Sequence, residues 1–134
     1  MRRFFLPLTM LACLIFLAAS ARPDPFSDTR YKVTVTPDDE AARAGEKAFE
    51  DTLIFKGGTF VATQCEKHGF GPVQFQDDTR RGGVGSFTAE PVSEKEGKAK
   101  WTGTVTGASI RGEMQWTKKD GTVLNYTYTG EKMH

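Results

Sequence analysis

The stretch KAKWTGTVTGASIRGEMQWT, residues 98–117, decides the fold class of this chain. With Gly107 and Ala108 as a two-residue hairpin turn, Thr106 faces Ser109, Val105 faces Ile110, Gly103 faces Gly112 and Trp101 faces Met114. Side chains alternate across a strand, so this register places Ala99, Trp101, Gly103, Val105, Ile110, Gly112, Met114 and Trp116 on one face. The other face collects Lys98, Lys100, Thr102, Thr104, Thr106, Ser109, Arg111, Glu113 and Gln115, with no apolar residue among them. A slip of one residue would bury the charges, so the pattern specifies register as well as strand. A sheet with one apolar face needs a second layer or must close on itself.

Working outward, Lys119-Asp120-Gly121 suits a three-residue hairpin with Gly121 left-handed, which sets Trp116 opposite Leu124. Leu124, Tyr126 and Tyr128 then join the apolar face, Asn125, Thr127 and Thr129 face solvent, and Val123 is left outside. Upstream, Phe49–Phe55 and Thr59–Gln64 read as strands joined at Lys56-Gly57-Gly58, with Leu53, Phe55, Phe60 and Ala62 inward. Val73–Gln76 and Phe87–Val92 are two weaker strands, separated by an exposed loop over Asp77–Gly85. Tyr31–Thr36 alternates as the opening strand. Thr36-Pro37 then reads as a helix cap and first turn, Asp38, Asp39 and Glu40 favour the positive helix end, and Gly45 stops the helix after Ala44. The prediction is an all-β domain: an antiparallel meander of about eight strands, forming a small barrel or two-layer sandwich, with one short helix after the first strand.

The chain's beginning reads as an export signal: Arg2 and Arg3, an apolar run from Phe4 to Ala19, and the small-residue triplet Ala19-Ser20-Ala21. The expected organisation is a signal peptide over 1–21 cleaved after Ala21, a flexible lead-in over 22–30, one domain over 31–130 and a tail over 131–134. No stable membrane anchor is expected after cleavage, and the destination is periplasmic or secreted. Arg2-Arg3-Phe4-Phe5-Leu6 also resembles a twin-arginine signal, but the general secretory route fits better. Loss of Arg2 and Arg3 changes the formal charge of the whole chain, +1, to −1. Near-neutral charge gives no electrostatic case for nucleic-acid binding. Of the two cysteines, Cys13 lies in the signal, so Cys65 has no intramolecular partner and stability must come from the core.

In size, export signal, meander order and the aromatic-rich stretch from Trp101-Thr-Gly103 through Trp116, the chain resembles the calycin group of lipocalin-like small barrels. It is also similar to uncharacterised small secreted bacterial proteins that share Phe49-x-Asp51-x-Leu53-x-Phe55 and a cysteine element, here Cys65-Glu-Lys-His68-Gly69-Phe70. The resemblance implies a ligand-holding barrel over roughly Tyr31–Gly130. The Gly-x-Trp usual on the first strand of lipocalins is absent from Tyr31–Thr36.

Three chemistries follow. Paired Gly103 and Gly112 remove volume from the apolar face and could floor a cavity lined by Phe55, Phe60, Trp101, Met114, Trp116, Tyr126 and Tyr128, holding a small apolar or amphipathic ligand. Alternatively neighbouring rings fold over the glycines, leaving a solid core and an envelope or extracellular protein-interaction module acting through its surface. Cys65 and His68, three apart, are a possible reactive thiol pair, with Glu66 or Asp51 as orienting group; an unpaired thiol could also join two chains. Neither the two histidines nor the Asp38-Asp39-Glu40 and Asp77-Asp78 clusters match a metal pattern, and no phosphate-cradling loop or serine-nucleophile motif is present. No cofactor, metal or catalytic residue is therefore expected, and the reading is non-enzymatic.

Overall fold

A computed structural model describes residues 24–134; the signal expected over residues 1–21 lies outside them. Nine strands are present: β1 (Thr29–Pro37), β2 (Phe49–Lys56), β3 (Thr59–Ala62), β4 (Val73–Arg80), β5 (Val84–Ala89), β6 (Val92–Ser93), β7 (Gly97–Thr106), β8 (Ser109–Thr117) and β9 (Val123–Lys132). Two short helices, α1 (Asp39–Arg43) and α2 (Thr63–Glu66), interrupt them. Consecutive strands pair antiparallel except β5 and β6; β5 pairs instead with β7, and β9 returns to β1, so the sheet closes. β6 lies on the same side of β7 as β5 does, with Glu90-Pro91 breaking the strand between them, and the nine segments form an eight-stranded barrel. Of the two architectures expected, the barrel is the one formed.

The decisive stretch pairs as its alternation requires. β7 and β8 meet with Thr106 opposite Ser109, Gly103 opposite Gly112 and Trp101 opposite Met114, and β8 and β9 meet with Trp116 opposite Leu124. Ala99, Trp101, Val105, Ile110, Met114, Leu124, Tyr126 and Tyr128 are buried. Val123, the apolar residue left outside, is 43% exposed.

Five boundaries differ from the sequence reading. Thr36 and Pro37 stay in β1, and the cap of α1 is Asp38, whose carboxylate accepts from the Ala41 amide at 2.8 Å. The strand expected over Thr59–Gln64 ends at Ala62, because Thr63 turns into α2. Most of the loop expected over Asp77–Gly85 is ladder, with Asp77 opposite Phe87 and Arg80 opposite Val84, the reversal being confined to Arg81–Gly83 where Gly82 and Gly83 have positive φ. Of the lead-in expected to be flexible over 22–30, the part from residue 24 on packs on the barrel: Pro25 and Phe26 are buried, and the Pro25 carbonyl accepts from Thr29 Oγ1 at 2.6 Å and from the Tyr31 hydroxyl at 2.8 Å. At the other terminus β9 runs two residues past Gly130, and the Met133 amide donates to the Arg30 carbonyl at 2.7 Å.

Candidate functional site

The barrel interior divides along its axis. At the end where β2 turns into β3, Phe26 enters from below and meets Phe55, Phe75 and Phe87 with ring centroids 4.9, 5.9 and 5.5 Å apart. Phe55 is 4.8 Å from Phe87 and 5.4 Å from Phe60, Phe60 is 5.6 Å from Trp101, and Trp101 is 5.3 Å from Tyr128. These spacings are ring-on-ring contact and leave no room for a guest. Gly103 and Gly112 belong to this packed region. The Tyr128 hydroxyl lies over both, where a Cβ on either would meet it, and donates to the Thr102 carbonyl at 2.8 Å. Phe55, Phe60, Trp101, Gly103, Gly112 and Tyr128, expected around a cavity, therefore fill the core instead. The glycines make space for a phenol rather than for a ligand. The Trp101 indole N–H is the single buried side-chain polar atom among the described residues without a hydrogen-bond partner.

At the opposite end the interior opens into a pocket of about 440 Å³. Met114, Trp116 and Tyr126 of the predicted set line it, together with Ala99, Phe49 and Phe70, and so do Cys65 and His68. Thus five of the residues singled out from sequence do converge, but as two predicted sites merged into one. Glu46, Glu50, Gln64 and Glu96 complete the lining.

The walls are held by specific bonds. Asp51, on β2 between Phe49 and Leu53, points inward and is only 3% exposed. One of its carboxylate oxygens accepts from the Thr52 amide at 2.7 Å, the Gln64 amide at 2.8 Å and Thr63 Oγ1 at 3.2 Å. The other accepts from Cys65 Sγ at 3.6 Å. A strand residue thereby supplies the cap that α2 lacks locally, Ala62 having no side chain for it. After α2 the chain reverses at Gly69, φ +96°, with the Gly69 amide donating to the Glu66 carbonyl and the Phe70 amide to that of Cys65. Ser93 Oγ donates to the His68 carbonyl at 2.8 Å and accepts from the Glu96 amide at 3.1 Å, tying this turn to the β6–β7 hairpin. Across the mouth, Trp116 Nε1 donates to the Glu96 carbonyl at 2.8 Å and the Tyr126 hydroxyl to Glu46 Oε1 at 2.6 Å. The Lys118 ammonium lies 5.0 Å over the Trp116 ring.

Burial, reinforced by the negative charge of Asp51 and by the hydrogen bond to it, pushes the Cys65 thiol up to about 12. A nucleophilic cysteine needs the opposite shift. Among the described residues the Cys65 side chain is bonded to Asp51 and not to His68, whose side chain is exposed at the rim. Asp51 does not orient an imidazole; it holds the thiol protonated and the turn in place. Asp51 was legible as an inward position from the alternation Phe49-x-Asp51-x-Leu53, and an acid on a core face is the signal for a partner elsewhere in the fold. Among the described residues no group of three or more histidine, cysteine, aspartate or glutamate side chains is placed to hold a metal ion, and no helix is long and apolar enough to cross a membrane.

The outer wall carries a shallow, threonine-rich groove of about 560 Å³, with Arg111 and Glu113 among Thr102, Thr104, Thr127 and Thr129. Phe87 and Tyr128, both buried in the core, also belong to its lining. No family model, curated protein or solved structure matches the chain.

Proposed function

We propose that the protein is an exported, non-enzymatic binding domain of lipocalin-like kind that takes a small apolar or amphipathic ligand into the open end of its barrel. The observation that carries this reading is the pocket at that end. Its volume, about 440 Å³, falls in the range of ligand-sized sites, and its apolar walls of Phe49, Phe70, Met114 and Trp116 meet a few polar groups at the rim. Export rests on the cationic start, apolar run and Ala19-Ser20-Ala21 triplet of the sequence. A binding role rather than thiol chemistry is supported by Cys65, whose thiol is held protonated, and by Asp51, whose carboxylate is engaged by backbone and hydroxyl donors.

Titration with the neutral fluorophore N-phenyl-1-naphthylamine tests the reading. Saturable one-to-one enhancement is expected, and it should be lost in Gln64→Trp, where an exposed residue of the pocket lining gains an indole that covers the opening without disturbing the core. Binding that survives Gln64→Trp, or no binding to the unmodified protein, would refute it.

A further inference from the structure

The rim of the pocket is more informative than its walls. Three glutamates line it, Glu46 after α1, Glu50 on β2 and Glu96 on the β6–β7 hairpin, and no lysine or arginine does. They come from three separate elements, so their convergence is made by the fold and is not a charged run in the sequence. The whole chain is nearly neutral, which makes the negative rim a local feature rather than a sample of the average surface. One Glu46 oxygen is already engaged by Tyr126, and Glu50 is 3.7 Å from Lys32 in an exposed pair that solvent screens. The Glu96 carboxylate has no ion-pair partner among the described residues. His68 is the one lining residue able to bring positive charge.

The walls beside these carboxylates are aromatic. Trp116, Tyr126, Phe49 and Phe70 present ring surface to the pocket, and ring faces attract cations, tryptophan most strongly. This molecule already uses that attraction: the Lys118 ammonium stands over the Trp116 ring. The Glu50 side chain is on the outer face with Lys32, so an anionic head would meet the Glu46 and Glu96 residues of the rim, whereas an ammonium head would meet opposite charge and ring faces, the Trp116 ring being shared with Lys118.

We infer, building on the binding function proposed above, that the pocket selects ligands with a cationic, ammonium-type head and a short apolar body, the head held between Glu96 and Glu46 at the rim and the body against Met114 and Trp116. Fatty-acid-like anions are the class it rejects.

The test is a matched series, octyltrimethylammonium, 1-octanol and octyl sulfate, each below its micelle concentration, competing with N-phenyl-1-naphthylamine. The cation is expected to bind at least about tenfold more tightly than the anion, with the alcohol between them. In Glu46→Gln/Glu96→Gln the ratio of cation to anion should fall to within about twofold, while Glu113→Gln, which removes one charge from the outer wall, keeps the preference. Equal or tighter binding of octyl sulfate, or a preference that persists in the double variant, overturns the inference. If the fluorophore and octanol bind without any charge preference, the selectivity fails and the pocket function stands. If no compound of the series binds and the fluorophore does not either, both fall together.

Discussion

The two ends of this barrel are built from the same kinds of residue and differ in what enters them. At the β2–β3 end, the chain preceding β1 folds in, and Phe26 closes a cluster of phenylalanines that continues to Trp101 and Tyr128. At the other end Phe49, Trp116 and Tyr126 line the opening: Phe49 meets Tyr126 edge-on with centroids 6.3 Å apart, and the polar tips of Trp116 and Tyr126 are tied to Glu96 and Glu46 at the rim. The difference teaches that aromatic content on the inner face does not by itself make a ligand cavity. A barrel end is filled when a segment from outside the staves supplies the last ring, and it stays open where the connections, here α2 and the β6–β7 hairpin, are held back at the rim by hydrogen bonds.

The largest effect that would break or uphold this contrast is loss of the whole fold at alkaline pH. Burial raises Tyr31, Tyr126 and Tyr128, which are all the tyrosines of the chain, above the ordinary phenol value, and Cys65 is pushed up to about 12. In the folded state these protons are held at pH values where the unfolded chain releases them. Unfolding therefore releases protons, so stability is intact below the ordinary thiol value and falls as pH rises from about 9 towards 12. Tyrosinate absorbance should rise together with loss of the β circular dichroism signal. Two or more tyrosines ionising near pH 10 with the sheet intact would show that the packed end is wet. A single early tyrosine, abolished by Tyr126→Phe, would instead locate water at the open end and sharpen the contrast.

Next in size is truncation. Phe55 is fully buried among five other rings, and Phe55→Ala should cost about 3–5 kcal/mol in denaturant unfolding. Met114→Ala removes a side chain that lines the pocket, so its volume joins an existing space, and a loss of about 2 kcal/mol or less is expected. Equal costs at the two positions would contradict the division of the interior.

How much of this was legible beforehand follows the range of the interactions. Alternation and turn chemistry are local, so β7, β8 and β9 were readable to the individual residue pair, including the glycines that face each other. The function assigned to those glycines was not readable, because the atom that fills their space belongs to Tyr128, which the register puts nearby but whose hydroxyl direction is set by the Thr102 carbonyl. Phe26 was missed for a related reason. A short segment with two prolines carries no periodic signal, and its burial depends on a partner site assembled from β2, β4 and β5. Sequence spacing makes Cys65 and His68 a pair separate from the aromatic lining, with Asp51 as one candidate to orient the imidazole; that Asp51 bonds the thiol instead depends on α2 folding back on β2, which spacing along the chain does not show.

Asp51 gives the third prediction. Asp51→Asn keeps size but weakens three acceptor contacts to α2 and β2, and should cost about 1.5–3 kcal/mol. It also removes the negative charge that helps raise the Cys65 thiol. Labelling of Cys65 by a thiol reagent, slow at pH 8 in the parent, should therefore accelerate. Unchanged labelling with reduced stability would mean that burial alone protects the thiol.

The smallest effect is the most discriminating. At Gly103 a Cβ would strike the Tyr128 hydroxyl and come 2.8 Å from the Phe87 ring, so Gly103→Ala should cost about 1–3 kcal/mol by overpacking. Tyr128→Phe deletes the hydroxyl, and its own cost is the lost bond to Thr102, about 0.5–1.5 kcal/mol. Because the two changes act on one volume, the double variant should be more stable than the sum of the singles predicts, by about 1 kcal/mol in a double-mutant cycle. Additivity would mean that the added methyl and the phenol never meet, which requires the space over the glycines to be open. The packed end would then be hollow as well, and the asymmetry on which the placement of the pocket rests would disappear.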